Sequence, residues 1–235
     1  MSAAESIKER AAQVLEAVAR AAQRSGRRVG EVRLVAAGKS QPAEKVGELL
    51  EAGITAFGEN YVQEAERKIL AYPRAEWHLI GKLQRNKVKK AVSLFAWIQT
   101  VDSLALLAEV SRRAGEAGKV IPVLLEVNLE GEGSKAGVSP EELPALVDAA
   151  PGHPGVSLRG LMAIPPWTAD PEESRPYFIR LREMLAECAS RGGAGARMTE
   201  LSMGMSNDYE AAIEEGATMV RVGTALFGSR VRGNA

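Results

Sequence analysis

A single cysteine, Cys188, occurs among the 235 residues, so no disulfide can form within the chain. It lies in the amphipathic stretch FIRLREMLAECA, where a buried, inert thiol is expected rather than a nucleophile. Neither sign of charge is in excess: Lys plus Arg and Asp plus Glu each total 30. A dedicated nucleic-acid binder carries a basic surplus, so a nucleic-acid partner is disfavoured. No apolar run approaches the roughly 20 residues that cross a bilayer. The N-terminus, MSAAESIKERAAQ, is charged from its start and does not read as a signal peptide. A cytoplasmic protein without a membrane partner is therefore expected. Only two histidines are present; His153 lies in the turn PGHPG, far from His78, so no pair has metal-ligand spacing and no metal is expected. Nucleotide signatures are missing too. No Gly-x-Gly-x-x-Gly follows the first expected strand, and no Gly-Lys-Ser/Thr loop occurs. No linker rich in Pro, Gly or Ser divides the chain, so residues 1–235 are expected to form one domain.

What is present is ordinary globular composition, 46% hydrophobic and 26% charged, arranged in a repeat of short strand and helix. Residues 1–28 read as a helix packed on the rest, with Ile7, Ala11, Val14, Leu15, Val18 and Ala22 at helical spacing and Gly26 ending the run. The runs RLVAAG, TAFGEN, WHLIG, WIQTV, VIPVLLEVNL, VSLRGLMAI, TELSMG and TMVRVG read as eight strands, each followed by a helical pattern. The first of those helices, PAEKVGELLEAG, is expected to open at Pro42 and close at Gly53. EGEGSKAG, after the fifth strand, reads as the longest loop. Eight strand–helix units with short connections predict an α/β fold of the TIM type, a single (β/α)8 barrel with an additional N-terminal helix. An open doubly wound sheet is the alternative.

In such barrels ligands bind where the strands end at their C-termini. That face would receive Lys39, Asn60, His78, Met162, the stretch from Ser202 through Met205 to Ser206, and Arg221 with Gly223 and Thr224. Lys39, at the end of the apolar VAAG, is either an amine made nucleophilic by desolvation or a rim lysine extending to water. SMGMSND and RVGTALFG follow strands seven and eight, where barrels commonly build a phosphate site from glycine backbone and hydroxyls. Ser206 could equally cap the helix NDYEAAIEEG. His78 alone reads as a packed residue, and Glu59, Glu200 and Asp208 as scattered carboxylates without an acid/base pair. KLQRNKVKK, with Lys82, Arg85, Lys87, Lys89 and Lys90, reads as a solvated helix face, or else as an attractor for a nucleic acid or an acidic partner, although no interleaved aromatics supply stacking.

Taken together, VAAGKS, AFGENYVQE, WHLIGKLQRNK, VNLEGEGSKAG, GLMAIPP, LSMGMSNDY and RVGTALFG resemble, in order and over nearly the whole chain, the pyridoxal phosphate homeostasis proteins. The fold of that family resembles the barrel domain of alanine racemase. The resemblance implies that pyridoxal 5′-phosphate is the cofactor and that Lys39 holds it as a Schiff base, the internal aldimine. It implies that Ser206, Gly223 and Thr224 hold the phosphate, and that Arg221 faces the pyridine nitrogen or the phosphate. Asn60, His78, Met162, Ser202 and Met205 match positions that line the cofactor. The lysine and the phosphate cradle would stand on opposite sides of the barrel mouth. An arginine keeps its proton near neutrality, so the ring nitrogen would stay largely unprotonated and the cofactor would be a weak electron sink.

Two functions follow from the resemblance. The first is a non-catalytic carrier in vitamin B6 homeostasis, a monomer rather than a dimer, with apo forms of enzymes that use the cofactor as its partners. The second is an amino-acid racemase. Racemisation needs a second base, which racemases with this barrel take from an added β domain of a partner subunit; this sequence ends seven residues after Gly228. The carrier is the expectation. A Schiff-base aldolase acting on a sugar phosphate fits the barrel but lacks an evident acid/base pair.

Overall fold

A computed structural model describes residues 5–130 and 136–228. Residues 131–135 of the loop EGEGSKAG, Lys135 among them, lie outside the described residues.

Eight parallel strands close into a barrel in chain order: β1 (Arg33–Ala37), β2 (Ala56–Glu59), β3 (Glu76–Leu79), β4 (Trp97–Val101), β5 (Ile121–Glu126), β6 (Val156–Met162), β7 (Glu200–Ser202) and β8 (Met219–Val222). Closure is made by β8 pairing with β1, Arg33 opposite Met219 and Val35 opposite Arg221. Each strand is buried on both faces, which is why it reads as an apolar run rather than an alternating one. Outward residues such as Leu34, Ala36, Phe57, Ile98, Val123 and Val220 join the main core under the helices. Inward, Leu124, Met162 and Met219 form a separate cluster with Trp97 beneath it.

The helices that cover the barrel are α1 (Ile7–Arg24), α2 (Glu44–Glu51), α3 (Val62–Ala71), α4 (Val88–Leu94), α5 (Leu104–Glu116), α6 (Leu143–Ala149), α7 (Arg175–Ser190), α8 (Tyr209–Glu214) and the single turn α9 (Thr224–Phe227). α1 starts in a capping box, Ser6 Oγ accepting from Glu9 N and Glu9 accepting from Ser6 N, so orphan amides of the first turn are satisfied. It packs along α8, α9 and α2. Arg24 pairs with Glu210 and Glu214, and Arg10 Nε donates to Leu226 O at 2.8 Å. Helix α2 begins later than expected. Pro42 lies outside it, and Ala43 already has helical dihedrals but supplies no side-chain cap. Cys188 is buried in α7, where burial pushes its thiol up. The basic run does not form one helix face. Lys82, Arg85 and Lys89 are exposed on a loop, a 3-10 turn and α4, and Lys90 pairs with Glu66. Among the described residues no helix is long and apolar enough to cross a membrane.

Candidate functional site

At the end of β1 the chain turns sharply. Gly38 N donates to Gly58 O at 2.9 Å, and Gln41 N returns to Gly38 O at 2.9 Å, so Lys39 and Ser40 form the corner. Ser40 has φ 59°, unusual for a residue with a side chain. Lys39 is half-buried and its Nζ stands 5.5 Å from the centroid of the Tyr61 ring, a cation–π distance.

The turn after β7 is built around Gly204, at φ 89°, where an added Cβ would lie 2.5 Å from that of Ala212. Asp208 closes the turn by accepting from Met205 N at 2.6 Å. The result aims Ser206 at the next strand end: its Oγ accepts from Gly223 N at 3.0 Å and from Ala225 N at 3.3 Å. Ser206 therefore does not cap α8, whose N-cap position is Asp208. Thr224 is exposed and opens α9. This Gly/hydroxyl cradle lies beside Lys39, not across the mouth from it as expected from the sequence. Register Ala36 opposite Val222 sets Gly223 against Ala37, two residues before Lys39. The physical reason is barrel closure, which makes the first and last strands neighbours.

Inside the barrel a column of polar side chains runs from this mouth to the base. Arg221 Nη1 donates to Ser202 Oγ at 2.6 Å, and Ser202 donates to Gln99 Oε1 at 2.6 Å. Gln99 Nε2 lies 2.7 Å from His78 Nδ1, and His78 Nε2 lies 2.7 Å from Glu76 Oε1. Glu76 stands at the base beside Arg33, and the His78 ring stacks on Trp97. Arg221 Nη2 donates to Ala163 O at 2.8 Å, just beyond β6, so the guanidinium points to the mouth while His78 leans to the base.

Two groups near the mouth are shifted by burial. Arg221 is lowered to about 10, partly opposed by the fields of Glu126 and Asp208; it stays charged at neutral pH. Its guanidinium donates to a hydroxyl and a carbonyl, and among the described residues no carboxylate touches this buried cation. Glu126, at the end of β5, is raised to about 7 by burial, with Arg221 acting against that shift. Above this layer lie two adjoining cavities. One, about 410 Å³, is lined by Met205, Ser206, Thr224 and Trp167 among others. The second, about 430 Å³, shares Trp167 and Met205 and extends over Glu126, Ile164 and Pro165.

The structure thus brings Met205, Ser206, Gly223 and Thr224 together, with Lys39 on the adjoining strand end. Ser202 and Arg221 lie directly below, fully or nearly buried. Asn60 is half-buried on the loop after β2, its backbone packed against Gly81. Met162 is fully buried in the inner apolar cluster, and His78 is tied toward the base. Gln99, Glu126 and Trp167 were not singled out in the sequence. A carboxylate inside the most apolar strand, VLLE, was the available signal for Glu126.

Residues 13–231 match the family of alanine racemase N-terminal domains. The chain is 43% identical over 224 residues to the pyridoxal phosphate homeostasis protein of Aquifex aeolicus, covering 94% of this chain and 97% of that protein. It is 40% identical to the protein of that description from Escherichia coli K12, over 93% of this chain and 94% of the relative. Among solved structures, PipY of Synechococcus elongatus with pyridoxal phosphate bound superposes with a TM-score of 0.83 at 41% identity, over 95% of this chain and 100% of that one. An alanine racemase from Clostridium difficile shares the fold, with a TM-score of 0.72 at 14% identity, over 94% of this chain and 57% of that one.

Proposed function

Because the chain belongs to the pyridoxal phosphate homeostasis protein family, we propose that it holds pyridoxal 5′-phosphate at the mouth of the barrel and hands it on without turning over a substrate. The observation that carries this reading is the adjacency of Lys39 to the Ser206–Gly223–Thr224 turn, an amine and an anion cradle on neighbouring strand ends. The residues fit the group. Lys39 offers a primary amine, the side chain that condenses reversibly with an aldehyde. Gly223 N, Ala225 N and the hydroxyls of Ser206 and Thr224 supply neutral donors for a phosphate. Arg221, charged and buried, presents N–H groups from below the mouth toward an acceptor such as a ring nitrogen.

When bound, the cofactor would supply an electrophilic carbon and a conjugated ring able to accept electrons. The chain's own groups restrain that chemistry. Arg221 keeps its proton at neutral pH and so stabilises an unprotonated ring nitrogen, the less electron-accepting form. Met205 and Trp167 flank both cavities. Apo forms of enzymes that use the cofactor are the recipients this reading requires. The direct test is to load the protein with pyridoxal phosphate, remove the free cofactor, and add a recipient apo-enzyme. Recovery of the recipient's activity supports the reading. A protein that acquires no cofactor, or never yields it, overturns it.

A further inference from the structure

Lys39 stands between two anchored peptide groups, and both anchors belong to one cluster of charges, its Lys68–Glu59 part buried. On one side, the carbonyl of Gly38 accepts from Lys68 Nζ at 2.8 Å. On the other, Ser40 N donates to Glu64 Oε1 at 2.6 Å. Lys68 and Glu64 are both on α3 and touch each other, Lys68 Nζ lying 3.2 Å from that same Glu64 oxygen. Lys68 also donates to Glu59 Oε1, at the end of β2, at 2.7 Å.

We propose that Lys68, with Glu59 and Glu64, is a positioning residue for Lys39: it fixes the two peptide planes that flank Lys39 and thereby the direction in which the amine is offered. The proposal rests on the reading that Lys39 is the attachment point. Four observations support it. The ammonium of Lys68 has three N–H donors, and Gly38, Glu59 and Glu64 use all of them. The Lys68 side chain is 5% exposed and that of Glu59 0%, so both charges are withdrawn from water. A buried ion pair of this kind adds little stability over an apolar substitute, and Glu59 Oε2 is left without a hydrogen-bond partner, a further cost. The cluster is therefore poorly explained as a stabilising device. Finally, Gly38 approaches Glu59 so closely that an added Cβ would lie 2.8 Å from Glu59 Oε1, and Ser40, at φ 59°, sits in a turn held on both sides.

The step served is a condensation. The Lys39 nitrogen forms a double bond to the aldehyde carbon, and the aldehyde oxygen leaves as water with the two amine hydrogens. Its rate depends on the approach of the nitrogen, which is what the clamp sets.

The test compares wild type with Lys68→Gln and with Lys68→Gln/Glu59→Gln, which removes both buried charges together. Each protein is mixed with pyridoxal phosphate, quenched with borohydride at intervals, and the adduct on Lys39 is quantified by peptide mass mapping. In parallel, the dissociation constant of 4′-deoxypyridoxine 5′-phosphate is measured; this analogue has the ring and phosphate but no aldehyde. The expected result is an adduct rate reduced about tenfold or more with analogue affinity unchanged. Glu64→Ala, at a partly exposed position, should show the same split at about threefold, and decides the matter if the other variants do not fold. An unchanged rate in a folded variant overturns the proposal. So does an equal loss in rate and analogue affinity, which would make the cluster merely structural. A wild-type protein with no adduct on Lys39 overturns the functional reading itself, and is recognised because it fails before any variant is compared.

Discussion

Gln99 donates its amide N–H to Nδ1 of His78 across 2.7 Å, and this one bond sets the sense of the whole interior column. With Nδ1 accepting, the proton of the neutral ring is on Nε2 and is donated to Glu76. The amide oxygen of Gln99 then accepts from Ser202, and Ser202 accepts from Arg221. Every donor points from mouth to base, with a cation at one end and a carboxylate at the other. Burial lowers the His78 pKa and so favours the neutral ring that this arrangement requires. Gln99→Leu should break the column in the middle and leave buried partners unsatisfied on both sides. A loss of about 1–3 kcal/mol in urea unfolding is expected, with weaker cofactor binding because Arg221 loses its support. Stability unchanged within error would mean the column is incidental.

Glu126 should give the stability curve a recognisable slope. Its folded value, about 7, lies above its ordinary value of 4.5. The folded protein therefore keeps a proton there that the unfolded chain releases, and stability falls as pH rises through that window. Glu126→Gln should match wild type near the bottom of the window and exceed it by about 2–3 kcal/mol at pH 8. His78 works in the opposite direction, since its lowered pKa favours the folded state above its unfolded value. The difference between wild type and variant isolates Glu126. Parallel curves would show that Glu126 is ionised throughout.

Borohydride reduction of the loaded protein, followed by peptide mapping, should place the pyridoxyl group on Lys39. Lys39→Ala should lose the visible absorption of the adduct and remain folded, because a half-buried side chain over Tyr61 contributes little to the core. A label on Lys82 instead, or on Lys135 outside the described residues, would refute the assignment.

The double variant Ser206→Ala/Thr224→Ala tests the cradle. Each charge-assisted hydrogen bond is worth about 1.5–3 kcal/mol, so binding of pyridoxal phosphate should weaken by upwards of about a hundredfold. Phosphate-free pyridoxal should change far less. Equal losses for both ligands would assign the two residues to structure alone.

Turnover is the remaining question. Loaded protein incubated with single L-amino acids in D₂O should show no α-deuteration by NMR beyond the free cofactor's own slow exchange. Exchange on the order of 1 s⁻¹, within the usual enzyme range, would replace the carrier with a racemase.

Much of the scaffold was legible because its signal is local. Runs such as VAAG and VLLEV are apolar on both faces, as strands of a parallel sheet covered by helices are, and Gly53 and Gly216 end helices at positive φ. What was not legible depends on closure. His78, Ser202 and Arg221 are expected near one face, but that Gln99 joins them into a single column emerges only when the strands form a ring. The position of the cradle beside Lys39 has the same origin. Lys68 stands four residues after Glu64 in an amphipathic helix, a spacing that ordinarily means a surface ion pair. Its burial depends on where α3 meets the β1 turn, and no local pattern encodes that.

The hydroxyl of Ser206 is itself an acceptor for the amides of Gly223 and Ala225. For the proposed function this makes loading an exchange of partners. An arriving phosphate oxygen relieves Ser206 of those amides and leaves the hydroxyl free to turn and donate. On departure the serine resumes its place, and no amide is stranded at any point along the way. The empty form is thereby spared two unsatisfied amides, and in the loaded form the freed hydroxyl counts among the phosphate's donors. Such a site can empty without leaving its mouth unsatisfied, which is the property a lender needs and an enzyme that keeps its cofactor does not.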